Sequence, residues 1–232
     1  MRQTVWDAAE RILPAGARLL DLGCGTGEDA IHFAQRGMNV TAIDIAPEMI
    51  EALVLKARAA EVSDRIDARV SDMGSLELHG KRFDAVFSNF GAMNCIGDLE
   101  LLRALASNAL RPGGHLVLVL MGRFYPLETL AFLMKGDVRR IFRRFGAARS
   151  ATVEGQAFPV WYYSPRDLRR GFGREFALSR ILGLRALLPA PGLEHLEGRV
   201  PFGLLGSLDA ALARFPLTAS FADHYLSIWR YL

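Results

Sequence analysis

With 232 residues, 51% of them hydrophobic and 23% charged, the chain is long enough to bury a sizeable core and too apolar to be disordered. Two cysteines exclude a disulfide framework or a thiolate metal cluster and fit a reducing compartment; no metal site is legible in the spacing of His, Cys, Asp and Glu. The net charge of +3 hides an asymmetry, with 12 Lys/Arg against 16 Asp/Glu in residues 1–122, 13 against 5 in 123–185 and 3 against 4 in 186–232. A local basic segment in an otherwise acidic chain points to an anionic substrate, a membrane surface or a nucleic acid. No stretch reads as a signal peptide or a membrane span, so the expectation is a cytoplasmic protein, at most peripheral at a membrane.

Residues 4–13 place Val5, Ala8, Ala9 and Ile12 at helical spacing, and Pro14-Ala15-Gly16 ends that helix. This short lead-in leaves little chain for an N-terminal substrate cover. The run Leu19-Leu20-Asp21-Leu22 then meets three glycines, Gly23, Gly25 and Gly27, followed by a helical segment, Glu28 to Arg36, and a second apolar run, Asn39 to Ile43, ending in Asp44. Strand, tight turn, helix, strand is the opening unit of a nucleoside-binding α/β fold. An acid at the tip of the second strand is placed to accept the hydroxyls of a ribose.

Pro47 starts the next helix, with Ile50, Leu53, Val54 and Ala57 on one stripe. Ile66 to Val70 reads as a third strand leading into Ser71-Asp72-Met73, and Phe83 to Phe87 as a fourth leading into Ser88-Asn89-Phe90-Gly91. Asp98 to Leu110 is helical, Arg111-Pro112-Gly113-Gly114 turns, and His115 to Met121 is a long apolar strand. Strands alternating with helices require an open, doubly wound, mostly parallel sheet with helices on both faces, and ligands of such sheets sit at the carboxyl ends of the strands.

Beyond Gly122 the pattern loosens. Residues 126–145 are helical with a break at Gly136, an apolar set and a basic set, Arg139, Arg140, Arg143 and Arg144. Val160 to Tyr163 reads as a short aromatic strand or loop edge, Ser164 and Asp167 have capping-box spacing, Glu175 to Arg180 is a sixth strand and His224 to Trp229 a seventh. About forty Leu-, Pro- and Gly-rich residues between those strands are too apolar for a linker and read as a helical insertion that packs over the site or contributes an apolar pocket.

Leu20-Asp21-Leu22-Gly23-Cys24-Gly25-Thr26-Gly27, with Asp44, Asp72-Met73, Phe83-Asp84-Ala85-Val86 through Asn89, and Leu110-Arg111-Pro112-Gly113-Gly114, resembles the ordered motifs of class I S-adenosylmethionine-dependent methyltransferases. The spacing is GxGxG, with Glu28 where a dinucleotide GxGxxG needs glycine, and no GxxxxGK[ST] loop occurs. The resemblance implies a seven-stranded sheet with an antiparallel last strand and one domain over 1–232. Within it, 15–122 is the cofactor core, and 123–150 with 183–222 form the substrate-side lobe.

It also implies roles for individual residues. Gly23, Gly25 and Gly27 close around the methionyl part of S-adenosylmethionine, and Asp21 orders the turn and reaches the amino group. Asp44 takes the ribose, Ile45 packs on the adenine, and Asp72 with Met73 binds and covers its edge. Asn89 and Phe90 sit beside the sulfonium.

Relatives that methylate adenine or amide nitrogens carry prolines after the fourth strand; Ser88-Asn89-Phe90-Gly91 has none, which argues against those acceptors. Arginines interleaved with apolar residues argue against a nucleic-acid groove and make the segment a candidate for peripheral membrane contact. The expected acceptor is a small hydrophobic molecule, methylated on oxygen, carbon or nitrogen. An RNA or protein methyltransferase and a non-catalytic cofactor-binding module remain as alternatives. Asn89, His224 and Tyr162 are the candidate catalytic residues, with Tyr163 and His195 as further acceptor-side groups; His32, His79 and His115 read as structural or solvated. The sequence leaves the oligomeric state open.

Overall fold

A computed structural model describes residues 1–78, 80–145, 149–153, 156–187, 202–213 and 215–232. The first half follows the expected alternation: α1 (Arg2–Glu10), β1 (Arg18–Leu22), α2 (Glu28–Gln35), β2 (Asn39–Asp44), α3 (Pro47–Ala59), β3 (Ile66–Val70), β4 (Phe83–Ser88), α4 (Leu99–Ala109) and β5 (Leu110–Met121). Then come α5 (Pro126–Met134), α6 (Val138–Ile141), β6 (Arg149–Val153), β7 (Gln156–Val160), α7 (Pro165–Gly171), β8 (Phe176–Leu184), α8 (Phe202–Leu212) and β9 (His224–Tyr231).

Seven strands form one sheet in the order β3-β2-β1-β4-β5-β9-β8. The first five are parallel, and β9 runs antiparallel between β5 and β8. The doubly wound sheet and its antiparallel final strand are thus as expected. Alternation along each strand supplies two apolar faces. Leu19, Phe87, Val117 and Val119 pack with Val5, Phe33 and Leu53 of α1, α2 and α3. Leu20, Leu22, Val86 and Leu118 pack with Leu102 of α4 and Leu168 and Phe172 of α7. Chain order reverses direction at β1, so the carboxyl ends of β1, β2 and β4 open a crevice there.

Local chemistry sets several boundaries. Asp98 caps α4 by accepting the Glu100 N–H (2.8 Å), and Ser164 and Asp167 close a reciprocal capping box at α7. The helical stretch after Gly122 breaks at Gly136, which takes φ +69°, between α5 and α6.

Of the two readings of Val160 to Tyr163, the loop edge is the one found: β7 ends at Val160 and pairs with β6 in a two-stranded hairpin. Trp161 instead docks on the loop after β4 through its backbone N–H to Asn94 O (2.8 Å). In the expected insertion, β8 runs on to Leu184, and α8 is tied to the end of that strand by Asp209, whose carboxylate accepts the N–H groups of Arg185 (3.1 Å) and Leu187 (2.8 Å). His79 and residues 188–201, His195 included, lie outside the described residues.

Candidate active site

The glycine turn is held by the strand beside it. Gly23 and Cys24 donate their N–H groups to Ile43 O, and the Gly25 N–H goes to Asp44 Oδ2 (2.8 Å). Asp44 Oδ1 accepts the Ala46 N–H (3.0 Å), so its carboxylate is fixed at the tip of β2. Gly27, at φ +83°, leads into α2 where any Cβ would collide with Leu53 of α3. Gly25 has open space where its Cβ would be.

Asp21 is the most informative group. It is 1% exposed, and its Oδ2 has no hydrogen-bond partner. Burial, reinforced by Asp29 and Asp44 and partly offset by Arg2, raises its carboxyl well above the usual range. An orphaned buried carboxylate among further acids fits a ligand that brings positive charge. S-adenosylmethionine carries two such centres, an ammonium and a sulfonium, and the residues present fit it.

The loop after β4 is braced from both sides. Ser88 Oγ donates to Leu22 O (2.8 Å), joining the ends of β4 and β1. Asn89 is buried, its Nδ2 donating to Asp29 Oδ2 (3.1 Å) and its Oδ1 accepting the Phe90 N–H (2.8 Å). That second bond supports Phe90 in a left-handed conformation, φ +52°, with its ring half exposed. Asn89 therefore reaches the site with both ends of its amide already engaged.

Sequence reasoning missed Asp29. An acid in the first turn of a helix reads as a dipole complement. Here it is buried and central: Trp6 Nε1 donates to Oδ1 (2.7 Å), Arg2 Nε lies 3.4 Å from the same oxygen, and Asn89 holds the other. The Arg2 guanidinium also sits 4.6 Å from the centre of the Phe90 ring. The short N-terminal helix thus reaches the site after all. Ile45 is exposed beside the turn, Met73 is half buried, and Asp72 caps the turn after β3 by accepting the Gly74 N–H (2.7 Å).

At the far end of the same strand edge, His224 opens β9 opposite Met121 of β5. Its Nδ1 lies 3.1 Å from Asp223 Oδ2, while Asp223 Oδ1 accepts from Arg144 Nη2 (2.6 Å). Arg144, only 5% exposed, also donates to Glu128 Oε2 (2.7 Å), Gly122 O (3.0 Å) and Asp223 O (3.2 Å). Burial alone would raise the Asp223 carboxyl, but His224 and Arg144 outweigh it and hold that carboxyl well below its usual range.

This corrects the basic set read from the sequence. Arg144 is an internal clamp, and Arg143 pairs with the same Glu128. Tyr162 is half buried with its ring 5.2 Å from the Arg144 guanidinium. Tyr163 is buried with its hydroxyl given to Ile96 O, its pKa pushed up to about 12 by burial, so it offers nothing to a pocket. His32 is structural, stacked on Trp6 at 3.5 Å and bonded to Glu10 (2.7 Å).

The sheet order with its antiparallel seventh strand, and acids at the carboxyl ends of β1 and β2, define the class I methyltransferase architecture. Residues 19–114 match the family model described as a methyltransferase domain.

Among curated relatives it is 37% identical over 138 residues to a ubiquinone biosynthesis O-methyltransferase of Xanthomonas axonopodis pv. citri (strain 306), covering 56% of this chain and 54% of that one. It is 36% identical over 142 residues to the 27-O-demethylrifamycin SV methyltransferase of Amycolatopsis mediterranei (strain S699), covering 61% and 50%. The chain therefore spans about half the length of the curated relatives it matches.

Among solved structures it resembles an S-adenosylmethionine-dependent methyltransferase from Methanosarcina mazei, with a TM-score of 0.66 at 18% identity, covering 97% of both chains. It also resembles the geranyl diphosphate C-methyltransferase of Streptomyces coelicolor A3(2), with a TM-score of 0.66 at 16% identity, covering 100% of this chain and 80% of that one.

Proposed function

We propose that this chain transfers a methyl group from S-adenosylmethionine to a small hydrophobic acceptor. The observation that carries the donor half is the buried, unpartnered Asp21 oxygen beside the glycine turn. When bound, the cofactor supplies an electrophilic methyl group on a sulfonium. Asp21 would hold the ammonium, Asp44 the ribose hydroxyls, and Ile45, Asp72 and Met73 the adenine. Asn89 and Phe90 would line the methyl-facing side. Displacement at a sulfonium is in-line, so the protein's first contribution is alignment and exclusion of water.

A small hydrophobic acceptor is supported by the apolar lobe at the same strand edge and by the names of the relatives, which concern ubiquinone, a rifamycin and geranyl diphosphate. For a hydroxyl acceptor, His224 would take the proton, with Asp223 holding its Nδ1 and leaving Nε2 as the acceptor. Cell extract incubated with the protein and methyl-labelled S-adenosylmethionine should yield label in the organic phase. Label confined to protein or RNA would overturn the small-molecule reading. With the labelled acceptor in hand, His224→Gln should lower turnover about 100-fold or more if the acceptor atom is oxygen, with S-adenosylhomocysteine affinity unchanged.

A further inference from the structure

The lobe after β5 is inside out. In this lobe charged side chains are turned inward beside Ala131: Glu128 of α5 is 6% exposed, and Arg144, just past α6, is 5% exposed. Those turned outward are apolar: Leu133 is 61% exposed, Met134 74%, Val138 62% and Phe142 59%. A helix pair in water does the reverse, because each exposed apolar side chain forgoes its burial free energy.

Four aromatic rings link part of that surface across the chain. Phe142 meets Phe145 (6.3 Å between ring centres), Phe145 meets Phe124 (6.2 Å), and Phe124 meets Phe221 (6.0 Å). Phe221 follows the turn Pro216–Ser220, where Phe215 and Leu217 are also exposed. A patch joining elements so distant in sequence exceeds the scattered apolar exposure of an ordinary surface.

Its surroundings select the partner. Lys135, Arg139 and Arg140 are exposed beside it, Glu128 is buried, and the nearby acid Asp137 is paired with Arg140 (3.2 Å). A second copy docked through the same face would bring these cations together across the symmetry axis. An anionic bilayer meets both requirements, accepting apolar side chains below the headgroups and cations among them. The face also adjoins the acceptor side of the site, since Arg144 ties the lobe to Gly122 O at the end of β5 and to Asp223 before β9.

We propose that the outward face of α5 and α6, with the 216–220 turn, docks on an anionic lipid surface and admits a lipid-soluble acceptor from it. This rests on the small-molecule reading for what the site methylates, but the docking can be tested without any acceptor. The protein should co-float with vesicles of equal parts phosphatidylcholine and phosphatidylglycerol, about tenfold or more above phosphatidylcholine alone at low salt. Leu133→Glu with Phe142→Glu should abolish flotation, and Lys135→Glu with Arg139→Glu should remove the preference for anionic vesicles.

Both pairs are at the surface and should leave the melting temperature and S-adenosylhomocysteine affinity unchanged. Wild-type protein left entirely with the unbound fraction overturns the proposal. So does a dimer in size exclusion that the Leu133→Glu, Phe142→Glu pair converts to monomer, which would assign the face to a second copy. Failure of S-adenosylhomocysteine to bind would instead sink the methyl-donor reading while leaving flotation intact.

Discussion

Asp21 and Asp223 stand at the two ends of one strand edge, 1% and 3% exposed, and their carboxyls are displaced in opposite directions. Asp223 is answered within the fold by Arg144 and His224. Asp21 faces other acids and keeps an oxygen without a partner. Burial is the same in both, so the difference lies in compensation. A compensated buried charge is part of the architecture, whereas an uncompensated one marks the place where a ligand completes the structure.

The largest effect should come from breaking the compensated end. Arg144→Ala takes from buried Glu128 and Asp223 the guanidinium they share, leaving Arg143 beside the first and His224 beside the second, and should cost about 3 kcal/mol of unfolding free energy, read by urea denaturation. A loss below about 1 kcal/mol would mean that water replaces the guanidinium there and would dissolve the contrast.

Next in size is Asp44, the acid proposed to take the ribose. Asp44→Ala should weaken S-adenosylhomocysteine binding by about 1.5–3 kcal/mol, roughly ten- to 150-fold by calorimetry. Because Asp44 also accepts the Gly25 and Ala46 N–H groups, the melting temperature should be measured beside the affinity. Unchanged affinity would remove Asp44 from the donor site.

The smallest effect carries the clearest sign. An acid with a raised folded pKa costs the ligand-free fold nothing below the ordinary carboxylate range. Above it the unfolded chain ionises first, and stability falls as pH climbs toward the raised value. Asp21→Asn should therefore melt above wild type without cofactor at about pH 8, and the gap should shrink at about pH 5. Saturating S-adenosylhomocysteine should reverse the order, because the amide cannot pair with the ligand's ammonium. A variant less stable than wild type without ligand would show that Asp21 is already compensated.

The glycine turn and the acid that holds it were legible because their signals are local. Gly23 to Gly27 and Asp44 lie within one strand-turn-helix-strand unit, where backbone geometry dictates residue type at fixed spacing. Asp29 escaped because nothing local separates a buried first-turn acid from a solvated one; its partners Trp6 and Asn89 are 23 and 60 residues away. Arg144 escaped for the same reason, its partner Asp223 being 79 residues on.

What the sequence determined by itself was the alternation of elements and the parallel sheet, which follow from periodicity and short-range turn chemistry. The tertiary structure decided which charges are spent. Side chains that look alike in sequence, Arg139 and Arg144 or Asp21 and Asp223, differ only in what the fold brings against them. A charge acquires its role from the distant groups that share its dielectric surroundings, and chain order does not encode those distances.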